Sequence, residues 1–395
     1  MANPRFTRTV WLLGLVSLFA DISSELLYPV LPVYLKQAGY SMLALGLLEG
    51  MANVIAGISK GYFGHQSDLL QRRMLFVRWG YGLSALGKMI MTGHPGLLRI
   101  YLARACDRFG KGVRTAPRDA LLSLEAGKHN RAAVFGFHRG LDTLGAAIGP
   151  ALALWWLSLH PGDYNSLFLM ACFPALISLL VAGLVKEKHP PEAARVQRKY
   201  TGFFSYFRYW KKSPAAFRAL LLPLLLLALV NSPDVFLLLA LKEAGFSDLY
   251  MIAVYIVYNL LYALLSTPAG MLADRLGKVN VLLAGLLLFI LTYAGMAAFS
   301  GLSYFVMLFA VYAASMACLE GVAKALISDI TPPDERGQAI GFYTSTGSIG
   351  VLVAGLWTGF LWPIGGPALV FSVTAGTAGI ALLILLSRKR KIKTL

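Results

Sequence analysis

Five cations and two acids recur at short intervals along residues 104–119. In a helix, at roughly 100° per residue, their side chains fall within an arc of about 140°. These residues are Arg104, Asp107, Arg108, Lys111, Arg114, Arg118 and Asp119. A face with such an excess of positive charge suits an anion, because guanidinium and ammonium groups form charge-assisted hydrogen bonds with carboxylates and phosphates.

The charged face belongs to a chain that is otherwise apolar. Of the 395 residues, 57% are hydrophobic and only 14% are charged, and the mean hydropathy is +0.65. This composition leaves too little polar surface to cover a water-soluble globule, so an integral membrane protein is predicted. The net charge of +17 does not indicate nucleic-acid binding, because the apolar runs are too long for that class.

Ionisable side chains inside a membrane cost about 2.5–3.5 kcal/mol each, so they are expected to be paired, turned inward or functional. We predict that the later cations of the charged face bind an anionic group of a substrate; they are Arg108, Lys111, Arg114 and Arg118. The alternative is a structural network. In that case the first arginines of the face pair with Glu25 or Asp142, and the last two extend to the membrane surface.

Acids in the same apolar regions are candidates for proton coupling. Asp21 and Glu25 lie four residues apart, hence on one face of a helix, and Asp142 lies further along the chain. A buried carboxyl that alternates between a protonated state and an ion pair is what coupling to protons requires. These three residues are therefore the predicted coupling residues. A permanent salt bridge that only orders the helices is the alternative.

Polar and aromatic residues elsewhere complete the predicted substrate site. Tyr28 and Asn231 lie beside the predicted coupling region and its repeat, and Tyr255 and Asn259 share a helix face. The tyrosines suit an apolar or ring-bearing part of a ligand, whereas packing between helices is the alternative. The three cysteines and six histidines show no ligand-like spacing, so no metal or cofactor is predicted.

Apolar runs near the ~20 residues needed to cross a bilayer predict twelve helices. The predicted spans are 9–35, 43–65, 73–94, 97–122, 132–158, 165–186, 216–242, 248–273, 278–300, 302–329, 337–363 and 366–387. When the loops alternate sides, one set of loops and termini holds 23 lysines and arginines and the other holds three. Both termini are thus predicted to be cytoplasmic, in an inner or plasma membrane.

The second half of the chain repeats the first. Shifts of 206 or 205 positions pair LKQAGYS with LKEAGFS, Asp68 with Asp274, Gly64 with Gly270, Gly136 with Gly341, and Gly145 with Gly350. Such a parallel repeat predicts two related bundles of six helices. The predicted domains are residues 1–186 and 216–395, joined by a basic cytoplasmic linker at 187–215.

The sequence GMLADRLGK at residues 270–278 resembles the signature loop of the major facilitator superfamily, and GHQSDLLQRR at 64–73 is its first copy, with Gln71 in place of the signature glycine. The resemblance covers the whole chain. It implies an all-α integral membrane fold with twelve transmembrane helices in two pseudo-symmetric six-helix bundles, and alternating access. It also implies conformational latches at these loops, formed by Asp68, Arg72, Asp274, Arg275 and Lys278.

A second motif, Gly145-x-x-x-Gly149-Pro150, resembles the glycine-proline motif of drug and metabolite antiporters of this superfamily. That resemblance implies export. Small residues four apart also let two membrane helices approach closely, so helix packing is the alternative.

These features predict a secondary active transporter, not an enzyme, that exports an organic anion or an amphipathic metabolite or drug against protons. Its expected partners are a small-molecule substrate, protons and the lipid bilayer, with no nucleic acid, and the protein is expected to be a monomer. The first alternative is a proton-coupled uptake symporter for carboxylates or organic phosphates. A membrane enzyme or a non-transporting sensor is the alternative from another class, although the sequence shows no catalytic motif.

Overall fold

The computed structural model describes residues 6–28, 30–39, 42–93, 96–127, 129–187, 202, 205–231, 234–298 and 301–393, and this part of the chain is helical without β-strands. The helices are α1 (Arg8–Leu27), α2 (Val30–Gln37), α3 (Met42–Leu70), α4 (Arg73–Met91), α5 (Leu97–Glu125), α6 (Arg131–Leu159), α7 (Tyr164–Leu184), α8 (Tyr209–Lys212), α9 (Ala215–Ala228), α10 (Asp234–Glu243), α11 (Asp248–Leu276), α12 (Lys278–Ala298), α13 (Leu302–Asp329) and α14 (Arg336–Lys393). A 3₁₀ turn at Ser205–Arg208 leads directly into α8.

Each of the twelve predicted spans coincides with described helix. The first span consists of α1 and α2, and the seventh consists of α9 and α10, so both are interrupted. The last two spans form the long α14, which is broken at Gly366, where φ is +64°, between Pro363 and Pro367. Only glycine adopts this left-handed conformation readily, so the sequence itself specifies the break.

Seven of the described helices are long and apolar enough to cross a membrane by length and composition alone: α1, α6, α7, α11, α12, α13 and α14. The criterion misses α5 because of its charged face, and α9 because it has only 14 residues before the interruption. Charge and helix breaks therefore conceal spans that the repeat and the loop pattern reveal.

The chain divides into two compact units that do not follow the two halves of the sequence. The first unit comprises Met1–Glu125, Leu141–Tyr209 and Pro333–Ser345, and the second comprises Ala126–Gly140, Trp210–Pro332 and Thr346–Leu395. The first unit therefore includes the first turns of α14, and the second unit includes the first turns of α6.

In the first unit, glycines let the beginning of α14 approach α3 closely. A Cβ atom on Gly341 would lie 2.8 Å from the carbonyl oxygen of Lys60, and one on Gly337 would lie 2.7 Å from Asp68 Oδ1. A Cβ on Gly64 would collide with the carbonyl oxygen of Gly337. The two helices thus meet backbone to backbone, which side chains larger than hydrogen would prevent.

The second unit has the same arrangement where the beginning of α6 meets α11. A Cβ on Gly136 would collide with the carbonyl oxygen of Ser266, and one on Gly270 with that of Ala132. The sequence shifts pair Gly64 with Gly270, and Gly136 with Gly341. The repeated glycines are therefore the contact points of two equivalent helix crossings.

The apolar core of each unit is built from its own helices. In the first unit, Leu26, Leu31 and Leu167 are almost fully buried, and Phe168 packs edge-on against Tyr34 with 5.2 Å between ring centroids. In the second unit the core is aromatic, and its fully buried rings include Phe289, Tyr293, Tyr312 and Phe371. Side-chain packing is the main stabilising term available between membrane helices.

Side chains cap several helices where they begin. The hydroxyl of Thr7 accepts a hydrogen bond from the N–H of Val10 at the start of α1, over 3.3 Å. Asp163 accepts from the N–H of Ser166 at the start of α7, over 3.2 Å, and the hydrogen bonds from Ser166 lower the pKa of this carboxyl. Such caps satisfy backbone donors that have no partner within the helix.

Candidate functional site

The charged face predicted from the sequence lies on α5 in the first unit, and its members differ in exposure. Five of them are buried: Arg104, Asp107, Arg114, Arg118 and Asp119. Arg108 and Lys111 are half-buried. The burial of so many charges requires partners inside the protein.

One group of partners comes from α4. Lys88 Nζ lies 3.0 Å from Asp107 Oδ2, and both side chains are almost fully buried. The hydroxyl of Ser84 donates to the Asp107 carbonyl over 3.1 Å and accepts a hydrogen bond from Arg114. The Arg114 guanidinium also lies over the Tyr81 ring, 4.3 Å from its centroid. Arg114 is thus held in the interior by a hydroxyl and an aromatic face.

A second group of partners surrounds Arg118. Its Nη2 atom lies 3.0 Å from Asp119 Oδ1, and its Nη1 atom donates to Ser17 Oγ over 3.0 Å. The Ser17 hydroxyl donates in turn to Asp142 Oδ1, which lies 4.0 Å from Arg118 Nη1. Arg118 therefore lies beside two carboxylates, and its removal would take a buried positive charge from both, at a cost of about 3–5 kcal/mol.

The predicted coupling residues Asp21, Glu25 and Asp142 all lie in the first unit. Asp21 of α1 lies close to Asp142 of α6, and it also lies within electrostatic range of Lys111 and Glu25. Asp21 and Glu25 are half-buried. Two neighbouring carboxyl groups can share a hydrogen bond only when one of them carries the proton. The structure thus brings two of the three predicted coupling residues together.

The four cations predicted to bind an anion fall into two kinds. Arg114 and Arg118 are engaged by buried partners, as in the structural-network alternative, although neither extends to a surface as that alternative supposed. Arg108 and Lys111 keep a share of exposed surface. Of the predicted set, these two are the side chains that a ligand entering the first unit would reach.

The glycine-proline motif places α6 against α1. A Cβ on Gly145 would lie 2.6 Å from the Leu18 carbonyl oxygen, and one on Gly149 would lie 2.7 Å from the Leu26 nitrogen. Pro150 is buried beside them. These contacts are those of the packing alternative, and they bring the Asp142 turn of α6 next to the coupling region of α1.

Tyr28 lies just after the end of α1, where the first span is interrupted. Its side chain is 40% exposed, whereas the other predicted substrate residues are buried or half-buried. Its ring is therefore accessible from outside the first unit's core. This position agrees with a contact residue better than with a packing residue.

The predicted tyrosine face of α11 is mostly a packed core in the second unit. Tyr258 stacks on Tyr312 with 5.2 Å between ring centroids, and Tyr258 and Tyr262 are almost fully buried. Asn259 is also buried, and its Nδ2 donates to the Tyr255 carbonyl of its own helix over 2.9 Å. Tyr255 is half-buried. Packing thus accounts for most of this face, and Tyr255 retains accessible surface.

The interruption between α9 and α10 carries the other predicted contact of the second unit. Asn231 is half-buried there, and its Oδ1 accepts a hydrogen bond from the Tyr293 hydroxyl over 3.4 Å. Asp234 begins α10 and accepts from the Tyr312 hydroxyl over 2.9 Å. Hydroxyls of the aromatic core thus face the polar residues of the broken span.

The first predicted latch joins α3 to the start of α14. Asp68 Oδ1 accepts from Arg73 Nη2, and Asp68 Oδ2 accepts from the N–H of Gln338, each over 2.7 Å. A carboxylate at a helix N-terminus is favoured by the helix dipole. The predicted partner Arg72 is exposed, whereas the adjacent Arg73 is buried and makes the ion pair. In this structure the ion pair of Asp68 is therefore with Arg73 and not with the predicted Arg72.

The turn after this latch forms without the signature glycine. Gln71 has φ of +50°, the only positive value of a non-glycine residue in the described chain. Its side-chain Nε2 donates to the Asp68 carbonyl over 2.6 Å. The matching residue of the repeat, Gly277, has φ of +92°. Gln71 therefore has a positive φ at the position where glycine stands in the second copy.

An acid that the sequence prediction missed completes this region. Glu187 accepts from the N–H groups of Arg73 and Met74, each over 2.9 Å, and so caps the start of α4. Arg73 and Glu187 line a cavity of about 480 Å³ together with the end of α5. Glu187 lies far from α4 in the sequence, so no local capping signal indicated it.

The second predicted latch repeats the first in the other unit. Asp274 accepts from the N–H groups of Ala132 and Ala133 at the start of α6, over 3.1 and 2.8 Å. Lys278 Nζ lies 2.9 Å from Asp274 Oδ1 and 3.0 Å from Asp329 Oδ2. The carboxylate again combines a helix N-terminus with a cation.

Two further findings qualify the prediction for the second latch. Arg275 is exposed, whereas Asp274 and Lys278 are half-buried. Asp329, which was not predicted, pairs with both Arg131 and Lys278. Because Asp329 ends α13 and has no acidic equivalent in the repeat, comparing the two halves could not reveal it.

Arg139 joins the second unit although it belongs to the first half of the sequence. Its Nε lies 2.9 Å from Glu320 Oε2 and 2.9 Å from the Tyr262 hydroxyl. The first turns of α6 thus bring a cation to Glu320 of α13 in the second unit.

A repeated helical fold with charges buried at membrane depth defines a multi-pass membrane transporter. The model of the Major Facilitator Superfamily matches residues 13–258 and 234–394. An uncharacterized MFS-type transporter of Methanocaldococcus jannaschii is 31% identical over 391 residues, which are 96% of each chain. This chain therefore belongs to the major facilitator superfamily, and the predicted class of transporter and its twelve-helix fold are confirmed.

Two other similar proteins were found. The multidrug resistance protein MdtG of Klebsiella pneumoniae is 24% identical over 364 residues, covering 89% of this chain and 86% of that protein. The crystal structure of the human organic anion transporter MFSD10 (TETRAN) aligns with a TM-score of 0.87 at 16% identity, covering 97% of this chain and 100% of that one. At this identity the structural likeness shows the fold alone.

Proposed function

We propose that this protein is a proton-coupled secondary transporter of organic anions or anionic amphipathic metabolites, working by alternating access. In this proposal Arg108 and Lys111 bind the anionic group, and Asp21 and Asp142 carry the proton. Membership of the superfamily supports the transport cycle. The specific support is that two half-buried groups of the first unit, Lys111 and Asp21, lie within electrostatic range of each other and that Asp142 lies close to Asp21.

The connection between Lys111 and Asp21 carries the proposal. The positive charge of Lys111 acts on Asp21, so an anionic substrate has to compete with an ionised Asp21 for the ammonium group. A proton on Asp21 removes that competitor. Because coupling between two binding sites is reciprocal, a bound anion in turn favours protonation of Asp21. Proton and anion are therefore expected to bind more tightly together than separately.

This mutual reinforcement favours symport, in which the proton gradient drives uptake of the anion. Export in exchange for protons is the second candidate. It is supported by the Gly145-x-x-x-Gly149-Pro150 resemblance and by the similarity to a protein named for multidrug resistance. Exchange requires proton and substrate to compete, which suits a substrate that contacts Asp21 through a positive group. The two candidates thus differ in the sign of the coupling.

The test is thermal unfolding of the detergent-purified protein against organic phosphates, polycarboxylates and lipophilic cations at several pH values. A ligand at ~100 times its Kd should stabilise the folded protein by about 2.7 kcal/mol. We expect stabilisation by anions that grows as the pH falls and that Lys111→Gln weakens. Asp21→Asn should abolish the pH dependence and keep anion binding.

The matched control is Arg99→Gln, which removes an exposed cation from the first turn of the same helix. It should bind anions like the wild type. Stabilisation by lipophilic cations alone, or an unchanged affinity in Lys111→Gln, would overturn the anion site. Anion affinity that increases with pH would contradict symport and support exchange.

A further inference from the structure

The segment that precedes the seventh span has two distinct faces. Residues Ser205–Lys212 form a 3₁₀ turn followed at once by α8. Tyr206 and Tyr209 are fully buried, whereas Phe207 and Trp210 are 40% and 38% exposed. The remaining side chains of its outer face are exposed cations: Arg208, Lys211 and Lys212.

The two tyrosines fix this segment to the first unit. The Tyr206 hydroxyl lies 2.9 Å from Ser345 Oγ. Its ring fills the space over Gly61, where a Cβ atom would collide with it. Tyr209 packs beside Phe342, with 6.3 Å between ring centroids. The inner side chains, Tyr206 and Tyr209, are therefore packed within the first unit.

The end of the segment is also tied to the start of the next span. Arg218, in the first turn of α9, donates to the carbonyl of Trp210 over 3.3 Å and to the carbonyl of Ser213 over 3.0 Å. Only Ser213 and Pro214 separate α8 from α9. The segment thus lies within a few residues of the seventh predicted span, and we expect it at the level where lipid headgroups meet the hydrocarbon core.

From this arrangement we infer that Ser205–Lys212 binds the headgroups of anionic phospholipids. The exposed rings suit the boundary of the bilayer, because aromatic side chains concentrate at that depth. The three cations offer charge that complements a phosphodiester carrying a net negative charge, and basic groups near a membrane surface attract such lipids. Since the inner face is already packed, lipid binding requires no rearrangement of the segment.

The experiment is native mass spectrometry of the full-length protein titrated with phosphatidylglycerol, with phosphatidylcholine as the neutral reference lipid. The variant is Arg208→Gln/Lys211→Gln/Lys212→Gln. Each lost cation should weaken phosphatidylglycerol binding about fivefold, and the triple variant roughly a hundredfold. Phosphatidylcholine binding should not change. Arg208→Lys/Lys211→Arg/Lys212→Arg, which keeps the charge, should bind like the wild type.

The matched control removes three cations from the basic C-terminal segment of the chain: Arg388→Gln, Lys389→Gln and Arg390→Gln. This control should keep the wild-type affinity for phosphatidylglycerol. Equal loss in both triple variants would show that net charge alone is responsible and would overturn the inference. Unchanged binding in the segment variant would do so as well. Displacement of the lipid by soluble glycerol phosphate would assign the site to free phosphate esters instead.

Discussion

At the scale of single residues, Gln71 shows how a departure from the signature is tolerated. A left-handed backbone costs a residue with a Cβ atom about 1–2 kcal/mol. The side chain of Gln71 offsets part of this cost by its hydrogen bond to the Asp68 carbonyl over 2.6 Å. The positive φ at this turn is tolerated because the Gln71 side chain forms a hydrogen bond to the backbone just before it. This mechanism leads to a prediction at the same residue.

Gln71→Gly and Gln71→Ala both lose this hydrogen bond, but only alanine keeps the backbone penalty. We therefore expect the glycine variant to be more stable than the alanine variant by about 1 kcal/mol, as measured by thermal unfolding of the detergent-purified protein. At Leu69, inside α3, the same two replacements should give the opposite order. Equal stabilities of the two variants at position 71 would contradict a left-handed turn.

Residue types and spacing identified Asp68, Asp274 and the charged face, but not every partner. Arg72 and Arg73 are adjacent and alike in type, and only the direction of the helix decides which one is buried. Nothing local to Glu187 indicates that it caps a helix far away in sequence. The sequence pattern can thus identify charged residues that need a hydrogen-bond or ion-pair partner. Which residue becomes that partner depends on the fold.

At the scale of helices, two crossings depend on glycine. The start of α6 meets α11 at Gly136 and Gly270, and the start of α14 meets α3 at Gly64 and Gly341. These pairs were already visible as repeats in the sequence. The structural reason for these glycines was not visible, because a spacing that repeats in the sequence does not reveal which backbone lies opposite each glycine. Length and hydropathy alone identify seven of the described helices as spans. They predict no crossing, because hydropathy does not reveal which helices are neighbours.

Gly136→Ala should disrupt the crossing of α6 and α11, because the new methyl group would collide with the Ser266 carbonyl oxygen. We expect a loss of about 1–3 kcal/mol in thermal stability, as for other overpacked sites. Gly347→Ala is the control in the same unit, because nothing lies within 4 Å of a Cβ there. This control should be neutral or slightly stabilising. A Gly136→Ala protein as stable as the control would rule out close backbone contact.

At the scale of the whole molecule, charge is shared between the units more evenly than the sequence suggested. Nearly all cations within the spans belong to the first half of the sequence. Arg131 and Arg139 nevertheless form their ion pairs in the second unit. The division of the chain into units could not be predicted from the repeat, because it depends on which helix ends pack together.

The distribution of basic residues predicts the orientation of the molecule. Single cysteines in place of Lys186 and Arg99, both exposed, should be labelled by a membrane-impermeant maleimide from opposite sides. Lys186→Cys should react only after the cells are opened, and Arg99→Cys in intact cells. Reaction of the parent protein gives the background, since Cys172 is buried and the other two cysteines are half-buried. Labelling of Lys186→Cys in intact cells would reverse the predicted topology.

The composition of the first unit also bears on how the protein is made. Residues 333–345 complete that unit, yet the ribosome adds them after nearly all the other helices have been synthesised. Until α14 emerges, the glycine face of α3 and the carboxylate of Asp68 have no helix to cover them. In the nascent chain, α3 is therefore present well before α14, the helix that packs against it. Formation of the first latch becomes one of the last steps of biogenesis, and a chain truncated before α14 would lack it.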